Sequence, residues 1–288
     1  MILYNIKKKC WKVIARLIEF KDRNYWIFLA KKIFWKIRRL CLPRIIIHVY
    51  AVCWNEETIL PYVLRHYSKI ANKIFIYDNM SDDNSIAIIK EYPNTEIIEY
   101  DTGGTMRDDI HARIKNNVWK KSRVWADWVI VIDTDEILWH KSLLEYLKLC
   151  LKKGITIPVP KGFDMVSESL PTSQGMIYDE IKSGVFNPFF CKPCIFNPNE
   201  VYEINYGSGC HRAKPAGKII FDKSKDLKLL HYKYLGLEYV LKRQKLIKER
   251  LSEINQREGW CWEYNIEDEF VKRFNSLKNK AVNVIDTI

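Results

Sequence analysis

The sequence lacks the glycine-rich motifs with which many α/β proteins hold phosphates. No G-x-G-x-x-G follows the first strand-like segment, where CWNEE stands at 53–57, and no G-x-x-x-x-G-K-[ST] occurs in the chain. The first absence removes support for a Rossmann dinucleotide site, and the second excludes a P-loop NTPase. The Gly-rich loop expected after the first strand of a sugar nucleotidyltransferase is missing too.

Long apolar runs and a cysteine framework are also missing. The longest apolar stretch of the N-terminal region is YWIFLA at 25–30, whereas a helix that spans a bilayer takes about 20 residues. We expect no signal peptide, because no apolar core precedes a small-residue cleavage site. The eight cysteines are mostly scattered, so we expect free thiols in a reducing cytosol. Structural zinc or a redox pair at Cys191 and Cys194 remain alternatives.

Positive charge is concentrated at the N-terminal end. Residues 1–42 hold twelve Lys and Arg but only Glu19 and Asp22, and they supply +10 of the formal +12. The remainder is nearly neutral, so we expect no nucleic-acid partner. Bulky apolar residues alternate with these charges at largely helical spacing. We predict a basic amphipathic helical arm over 1–42 that binds an anionic membrane surface, which implies a cytoplasmic protein peripheral on the inner face of the membrane. A helix packed on the domain with a solvated basic face is the alternative.

From residue 44 onward, apolar strand-like runs alternate with helical stretches. RIIIHVYAV (44–52), KIFIYD (73–78), TEIIEYD (95–101) and WVIVID (128–133) predict four strands. We expect Asn55 to cap the helix after the first strand and a polar helix to cover about 107–122. Strands separated by helices in this way predict an α/β fold with a mostly parallel sheet flanked by helices.

The pattern changes after residue 150. Residues 155–235 are rich in Gly, Pro and aromatics and contain the short strand-like pieces ITIPVP, KIIFD and LKLLHYKY. Residues 237–256 and 266–281 have helical spacing. We predict one domain over 43–236 and a C-terminal helical segment, 237–288, packed on it.

Polar and acidic side chains follow three of the predicted strands: Asn55 and Glu56, then Asp78 and Asn79, then Asp133 and Asp135. Ligands bind at the carboxyl ends of parallel strands, so these groups indicate a site. If 133–135 stay extended, the two acids of D-x-D face the same side and suit Mg²⁺ or Mn²⁺. The plainer alternatives are a turn at Asp78 and a surface loop that starts at Asp133.

Three segments, HVYAVCWNEE, IFIYDNMSDDNS and ADWVIVIDTDEIL, resemble in order and spacing the GT-A glycosyltransferases, specifically the family 2-like enzymes of bacterial surface-polysaccharide loci. The resemblance continues through IHARIKNNVWK, INYGSGCHRAKPAG and LLHYKYLGLEY and covers about 44–265. It implies a GT-A fold and a metal-dependent, inverting hexosyltransferase. Such an enzyme moves a sugar from a nucleoside-diphosphate sugar, here expected to be a UDP-sugar, to a saccharide or lipid-linked acceptor in capsule or lipopolysaccharide synthesis.

The resemblance also implies roles for single residues. Asp133 and Asp135 match the D-x-D that holds Mn²⁺ or Mg²⁺ on the donor's diphosphate. His231 stands where such enzymes often supply a late metal ligand or a diphosphate contact. A divalent ion and basic groups at this place stabilise the charge that develops on the leaving diphosphate.

Nucleotide contacts are implied on both sides of that centre. Asp78 matches the acid that contacts the nucleoside, and Asn55 and Glu56 match the segment that lines the base and ribose pocket. The helix region that usually faces the phosphates contributes Arg107, Lys115 and Asn116. A solvated helix face is the alternative for these last three residues.

Inversion requires a carboxylate that takes the proton of the acceptor hydroxyl. Asp164, Glu168, Glu180 and Glu203 all fall in the right half of the chain, and we take Asp164 and Glu180 as the candidates. The sequence does not decide between them.

Two other classes compete with glycosyl transfer. An apolar strand followed by D-x-D also opens haloacid-dehalogenase-type phosphatases, in which Asp133 would be the nucleophile. There the motif stands on the first strand and continues into a Thr or Val turn, whereas here it stands on the fourth and continues into Glu136. A membrane-bound scaffold with a decayed site is the non-enzyme alternative.

Overall fold

The structure is a computed structural model and describes residues 23–42, 44–222 and 226–286. The helices are α1 (Arg23–Cys41), α2 (Leu60–Ile70), α3 (Ser85–Lys90), α4 (Asp108–Asn117), α5 (Leu143–Lys152), α6 (Ile177–Glu180), α7 (Leu237–Glu249), α8 (Glu253–Arg257) and α9 (Glu267–Lys280). Short 3₁₀ turns cover Val118–Ser122, Pro188–Phe190, Ser208–Cys210 and Trp262–Asn265.

The strands are β1 (Ile47–Cys53), β2 (Lys73–Asp78), β3 (Thr95–Glu99), β4 (Trp128–Asp133), β5 (Glu136–Trp139), β6 (Lys161–Ser167), β7 (Ser183–Phe186), β8 (Ile195–Phe196), β9 (Val201–Glu203), β10 (Ala216–Gly217), β11 (Lys228–Leu235) and β12 (Val282–Asn283). They form two five-stranded sheets and the small β9–β10 pair.

The first sheet has the strand order β3-β2-β1-β4-β8. β1 is parallel to β2 and β4, β2 is parallel to β3, and only the two-residue β8 is antiparallel to its neighbour. Every residue of the central β1 is buried, as expected of a strand covered on both faces. The predicted mostly parallel α/β sheet is confirmed.

The register of this sheet determines where the acids lie. Cys53 pairs with Asp78, and Val52 pairs with Asp133. The carboxyl ends of β1, β2 and β4 therefore meet at one edge. Alternate side chains pack on opposite faces, with Val49 in one apolar cluster and Tyr50 in another.

The second sheet has the order β12-β7-β6-β11-β5, in which only β6 and β11 are parallel. The chain passes from the first sheet to the second between Asp133, the end of β4, and Glu136, the start of β5. The piece LKLLHYKY forms most of β11, as predicted. ITIPVP and KIIFD form no strand; they are joined by the isolated bridge Ile157–Phe221 and by neighbouring hydrogen bonds, such as that from the backbone N–H of Thr156 to the carbonyl of Ile220.

The predicted N-cap at Asn55 is wrong. α2 begins at Leu60 after Ile59, because the backbone N–H groups of both residues bind the carbonyl of Glu56 in an intervening turn. Asn55 has φ 50° and exchanges side-chain hydrogen bonds with Asp82. It therefore ties the turn after β1 to the turn after β2.

Two helix boundaries also differ from the predictions. The polar helix at 107–122 is α4 followed by a 3₁₀ turn, and the stretch 237–256 is divided between α7 and α8. α9 packs on β6 and β7, and β12 adds a strand beside β7. The C-terminal residues thus complete the second sheet, and the proposed domain division at 236 stays a prediction.

The predicted N-terminal arm lies partly outside the described residues, which begin at 23. The indole N–H of Trp35 and the guanidinium of Arg38 both donate to the buried carboxylate of Asp127, at 2.8 and 2.6 Å. Asp127 also accepts from the backbone N–H of Ile46 at 2.8 Å. In the described part, α1 is therefore a helix packed on the domain, the alternative to a free arm. None of the helices in the described ranges is long and apolar enough to cross a membrane.

Candidate active site

A pocket of about 270 Å³ opens at the carboxyl edge of the first sheet. Its polar lining comprises Glu56, Asn79, Asp108, His111, Lys115, Asp133, Thr134, Asp135, Glu136, His211, His231, Lys233, Tyr239, Arg243, Gln244, Arg250, Glu263 and Tyr264. The β4–β5 turn, α4 and α7 thus face one another across the pocket. This is the edge at which the sequence predicted a site.

The two acids of D-x-D reach the pocket by a turn. Residues 134 and 135 form a turn and are not extended, so the condition under which the two acids would face one side of a strand is not met. The backbone N–H of Asp133 donates to Glu136 at 3.1 Å, which closes the turn between the two sheets. Both Asp133 and Asp135 nevertheless line the pocket, because the chain changes sheet at this point.

Two lysines neutralise Asp133. Lys115 Nζ lies 2.5 Å from one carboxylate oxygen, and Lys192 Nζ lies 3.8 Å from the other. Burial disfavours the ionised carboxyl group, but Lys115 and Lys192 outweigh it and hold the pKa of Asp133 well below its usual range. Burial likewise acts against a charged Lys115, yet Asp133 keeps the pKa of that lysine above its ordinary value. Asp133 is therefore an anion with cations already beside it.

Lys192 is a site residue that the sequence analysis missed. It lies between the two cysteines of CKPC, is 2% exposed, and its Nζ binds Glu136 at 2.5 Å. The described cysteines are all free. In the described ranges, no three His, Cys, Asp or Glu side chains are grouped so as to hold a metal ion by themselves. The chemistry of this segment thus resides in its lysine, and zinc at CKPC finds no support.

His231 connects Asp135 with Asp164. Its Nε2 lies 3.2 Å from Asp135 Oδ2, and its Nδ1 lies 2.8 Å from Asp164 Oδ1. Phe190 stacks on the imidazole with ring centroids 4.0 Å apart. Burial lowers the pKa of His231, but the two carboxylates outweigh this and raise it to about 9. His231 is therefore an imidazolium held in one orientation.

Neither candidate for the catalytic base lines the pocket. Asp164 is 1% exposed and also accepts from Asn187 at 2.8 Å and from Arg273 at 3.2 Å. Burial opposes its ionisation, but the hydrogen bond from His231 brings its pKa down to about 2. Asp164 thus orients His231 from behind. Glu180 lies at the surface, where it accepts from the backbone N–H groups of Thr172 and Ser173, and the structure gives no support to it as a base.

The segment after β1 contributes Glu56 and Trp54. Arg243 binds Glu56 at 2.6 Å and donates to the carbonyl of Asn55 at 2.7 Å. Burial raises the pKa of Glu56 to about 8, against the opposing charge of Arg243. The guanidinium of Arg250 lies 3.5 Å from the centre of the Trp54 ring. α7 therefore closes the pocket over this segment, a contact that no local pattern in the sequence indicated.

Asp78 and Asn55 do not line the pocket. The Asp78 carboxylate accepts from the backbone N–H and the hydroxyl of Ser81, at 2.8 and 2.6 Å. This is the turn role that was the alternative for Asp78. Asn79, its buried neighbour, lines the pocket instead.

Of the three residues expected from α4, only Lys115 points into the pocket. Arg107 forms an ion pair with Asp109 near the surface. Asn116 exchanges hydrogen bonds with the backbone of Tyr206 at 2.7 and 3.0 Å, so it fixes the loop that carries His211. His111, one turn before Lys115, lines the pocket and was missed, although an i, i+4 spacing from Lys115 could have indicated it.

Two polar atoms in the pocket wall have no internal partner. His111 Nε2 and His211 Nδ1 are buried and make no hydrogen bond to the part of the chain that the structure describes. Buried polar atoms are normally paired. Burial lowers the pKa of each imidazole to about 4, so both are neutral near pH 7. They are suited to hydrogen-bond a polar ligand.

The donor set at Asp135 and His231 fits a divalent cation that shares its coordination with phosphate oxygens. A carboxylate behind the far ring nitrogen, as Asp164 is here, is the usual support of a metal-binding histidine. Mg²⁺ commonly takes only one or two protein carboxylates and completes its coordination with substrate phosphates and water. The histidine proton on Nε2 would have to leave when such an ion binds.

No protein-family profile matches the chain, and no curated protein matches it. Among solved structures, it is similar to S. aureus TarS 1-349, with a TM-score of 0.44 and 15% identity over 81% of this chain and 72% of that one. A further TarS structure gives 0.43 and 13% over 80% and 43%. Glucosyl-3-phosphoglycerate synthase from Mycobacterium tuberculosis, solved with Mn²⁺, UDP and phosphoglyceric acid, gives 0.31 and 17% over 45% and 47%. These are distant structural likenesses.

Proposed function

We propose that the chain is a glycosyltransferase that binds a nucleoside-diphosphate sugar, in the first place a UDP-sugar, and passes the sugar to a saccharide or lipid-linked saccharide. One observation carries the proposal. The carboxyl-edge pocket brings Asp133, Asp135 and His231 together with buried cations and with polar atoms that make no hydrogen bond to the described part of the chain. The ordered motifs that resemble family 2-like GT-A enzymes indicate glycosyl transfer as the reaction for which such a pocket is suited.

The charges around the pocket support a diphosphate accompanied by a divalent ion. The carboxylates are Glu56, Asp108, Asp133, Asp135, Glu136 and Glu263; the cations are Lys115, Lys192, Lys233, Arg243, Arg250 and the imidazolium of His231. Because the pKa of Glu56 is raised to about 8, this carboxyl group is largely uncharged near pH 7, and the cations slightly outnumber the remaining carboxylates. A nucleoside diphosphate carries more negative charge than this small excess neutralises, and Mg²⁺ or Mn²⁺ would supply further positive charge.

In this proposal Asp135 and His231 hold the ion, and Asp133 contributes from the same turn. The bound ion would neutralise the charge that develops on the leaving diphosphate. Asp164 keeps the far nitrogen of His231 protonated, so that Nε2 is the nitrogen available to a ligand. Lys115 and Lys192 hold Asp133 in its ionised form and place positive charge beside the phosphates.

The other lining residues would position the donor. His111 and His211 offer neutral imidazole nitrogens to the nucleoside or the sugar, and Arg250 with Trp54 forms a flat surface on which a base could stack. Transfer with inversion at the anomeric carbon is part of the proposal. The base that it requires stays unassigned, since Asp164 and Glu180 both lie outside the pocket lining. We also keep as a prediction that the chain acts at the inner face of the cytoplasmic membrane.

The test is a thermal-shift and calorimetry panel of UDP, GDP, CDP and ADP, each with and without Mn²⁺. Ligand at about 100 times its dissociation constant adds about 2.7 kcal/mol to stability, or a few degrees in melting temperature for a chain of this size. We expect one nucleotide to stabilise the protein only when metal is present. Asp135→Asn should abolish that response. Asp109→Asn, which changes a surface carboxylate paired with Arg107, is the matched control and should keep it.

Two results would contradict the proposal. If none of the nucleotides raises the melting temperature, the nucleotide-sugar assignment fails. If the protein instead hydrolyses p-nitrophenyl phosphate, and Asp133→Asn abolishes the hydrolysis, the phosphatase alternative replaces it. A nucleotide response that Asp135→Asn leaves intact would keep the substrate class but remove the metal from Asp135.

A further inference from the structure

Helix α1 presents two chemically different faces. At about 100° per residue, Phe28, Trp35, Arg38 and Arg39 point to one side, where they pack on the domain. The opposite side, within an arc of about 100°, is formed by Trp26, Leu29, Ile33, Lys36, Ile37 and Leu40, which we call the outer face. One face of the helix therefore packs on the domain, and the other points away from it.

The outer face is mostly apolar and is partly exposed in the part of the chain that the structure describes. Ile33 is 55% exposed and Leu40 is 87% exposed, and Leu42 just beyond the helix is 54% exposed. Trp26, Leu29 and Ile37 are half-buried. Exposed apolar side chains that lie together in this way mark an interaction surface.

A cationic groove of about 490 Å³ runs beside the outer face, between α1 and the turn after α5. Lys36, Arg39 and Lys218 line it, and its single acid in the described residues, Glu200, is ion-paired with Lys32. Lys36 and Lys218 form no ion pair with the described part of the chain. Arg39 is ion-paired with Asp127 at 3.4 Å, but its buried Nη1 makes no hydrogen bond to the described residues. The groove thus holds positive charge that its own acids do not neutralise.

More positive charge lies close to the groove. Lys152, at the end of α5, and Lys153, just after it, are exposed next to the groove residues Leu151 and Gly154. In the sequence, the 22 residues that precede α1 hold six Lys and Arg against two acids. Basic side chains around exposed apolar ones are what an anionic lipid surface binds.

We propose that the outer face of α1 and the adjoining groove form a docking surface for an anionic membrane, in which apolar side chains enter the interface and the groove takes lipid phosphate groups. Apolar and cationic side chains together on one helix favour a bilayer over a soluble anion. A soluble anion would bind the cations but would not bury Ile33 and Leu40. The proposal does not depend on the reaction at the pocket.

The location of this surface has a consequence for function. Asp127, to which α1 is tied, immediately precedes β4, and Asp133 ends that strand. Six residues of strand at about 3.3 Å each separate them by about 20 Å. Membrane docking at α1 therefore leaves the pocket open, and nucleotide binding should not change when the protein binds vesicles.

The test is co-sedimentation of the full chain with phosphatidylcholine vesicles that contain or lack phosphatidylglycerol. We expect binding only to the anionic vesicles, weakened by salt. Lys36→Gln/Lys218→Gln should reduce the partition coefficient about 30-fold, from about 1 kcal/mol for each basic residue, and Ile33→Asn/Leu40→Asn should reduce it at least tenfold. The matched control is Lys245→Gln/Lys248→Gln, two exposed lysines of α7 near the pocket, which should bind vesicles as the wild type does. Melting temperature and nucleotide binding report that each variant is folded.

Three outcomes would overturn the proposal. Equal loss in the α7 control would mean that net charge alone governs binding. Loss only in a Lys7→Gln/Lys8→Gln/Lys9→Gln variant, with the α1 variants unaffected, would assign the contact to residues 1–22. If inorganic phosphate or glycerol phosphate raises the melting temperature in a Lys36- and Lys218-dependent way and vesicles do not bind, the groove is a site for a soluble anion.

Discussion

Replacing Lys192 by methionine should destabilise the protein strongly, because it leaves Glu136 buried without its cation. Lys192 and Glu136 are 2% and 1% exposed, and their charged atoms lie 2.5 Å apart. Methionine fills the space of the lysine stem, so the change removes the charge and little of the packing. Breaking a buried ion pair by removing one partner costs about 3–5 kcal/mol. At about 2 °C per kcal/mol for a chain of this size, the melting temperature should fall by about 6–10 °C.

The chain contains a matched control for this experiment. Lys148 and Glu145 also lie 2.5 Å apart, but their side chains are 52% and 70% exposed. Water solvates both charges, so Lys148→Met should cost no more than about 1 kcal/mol. The two pairs share distance and chemistry and differ chiefly in burial, although Lys192 also lies 3.8 Å from Asp133.

A double variant distinguishes the cost of leaving Glu136 unpaired from the cost of removing the lysine itself. In Glu136→Gln/Lys192→Met no unpaired charge remains at this position, and the side-chain carbonyl of the introduced glutamine can still accept from the backbone N–H of Asp133. We expect the double variant to recover at least half of the loss. Thermal melting followed by circular dichroism, together with urea denaturation, measures the double variant, its two single variants Lys192→Met and Glu136→Gln, and the Lys148→Met control. The reasoning is refuted if Lys192→Met loses no more stability than Lys148→Met, or if the double variant shows the sum of the two single losses.

Three further predictions concern other parts of the molecule. Gly162→Ala would place a Cβ 2.3 Å from Phe190 Cβ and should cost about 1–3 kcal/mol in a thermal melt, whereas Gly207→Ala, with open space around it, should be neutral. Burial lowers the pKa of His66 to about 4. As the pH falls, this histidine is therefore protonated in the unfolded chain before it is protonated in the folded protein. Stability should therefore fall by up to about 3 kcal/mol as the pH drops from 6.5 to 4, and His66→Gln should flatten that slope in urea titrations. Asp127→Ala would leave the Trp35 indole and the Ile46 amide without their acceptor and should reduce stability by about 2–4 kcal/mol. We expect faster proteolysis within α1. Unchanged proteolysis would show that α1 does not depend on this carboxylate.

The paired sites at the two ends of β4 suggest a division of labour within the proposed function. At the amino end Asp127 anchors the helix proposed to meet the membrane, and at the carboxyl end Asp133 belongs to the proposed donor pocket. One strand thus connects the proposed donor pocket with the helix that is proposed to bind a lipid surface. The vesicle and nucleotide assays test the two ends independently.

The sequence by itself determined the elements whose signal is local. Buried strands such as WVIVID and KIFIYD are short apolar runs, and their alternation with helical stretches predicted the parallel sheet and the edge at which Asp133 and Asp135 lie. The predicted helix boundaries were wrong where competing local hydrogen bonds set the end of a helix. Asn55 joined the turn after β2 instead of capping α2, and no periodicity distinguishes those two outcomes.

Only the tertiary structure decided which charges meet. Lys192 finds Glu136 across 56 residues of sequence, and Arg243 finds Glu56 across 187. A buried charge needs a partner, but the sequence does not say which one, because many lysines and arginines carry the same charge. The same holds for Asp164, which became the support of His231, and for Glu180, which remained in solvent. The sequence predicted Asp133, Asp135, Lys115 and His231 as site residues, but only packing decided which carboxylate each cation meets.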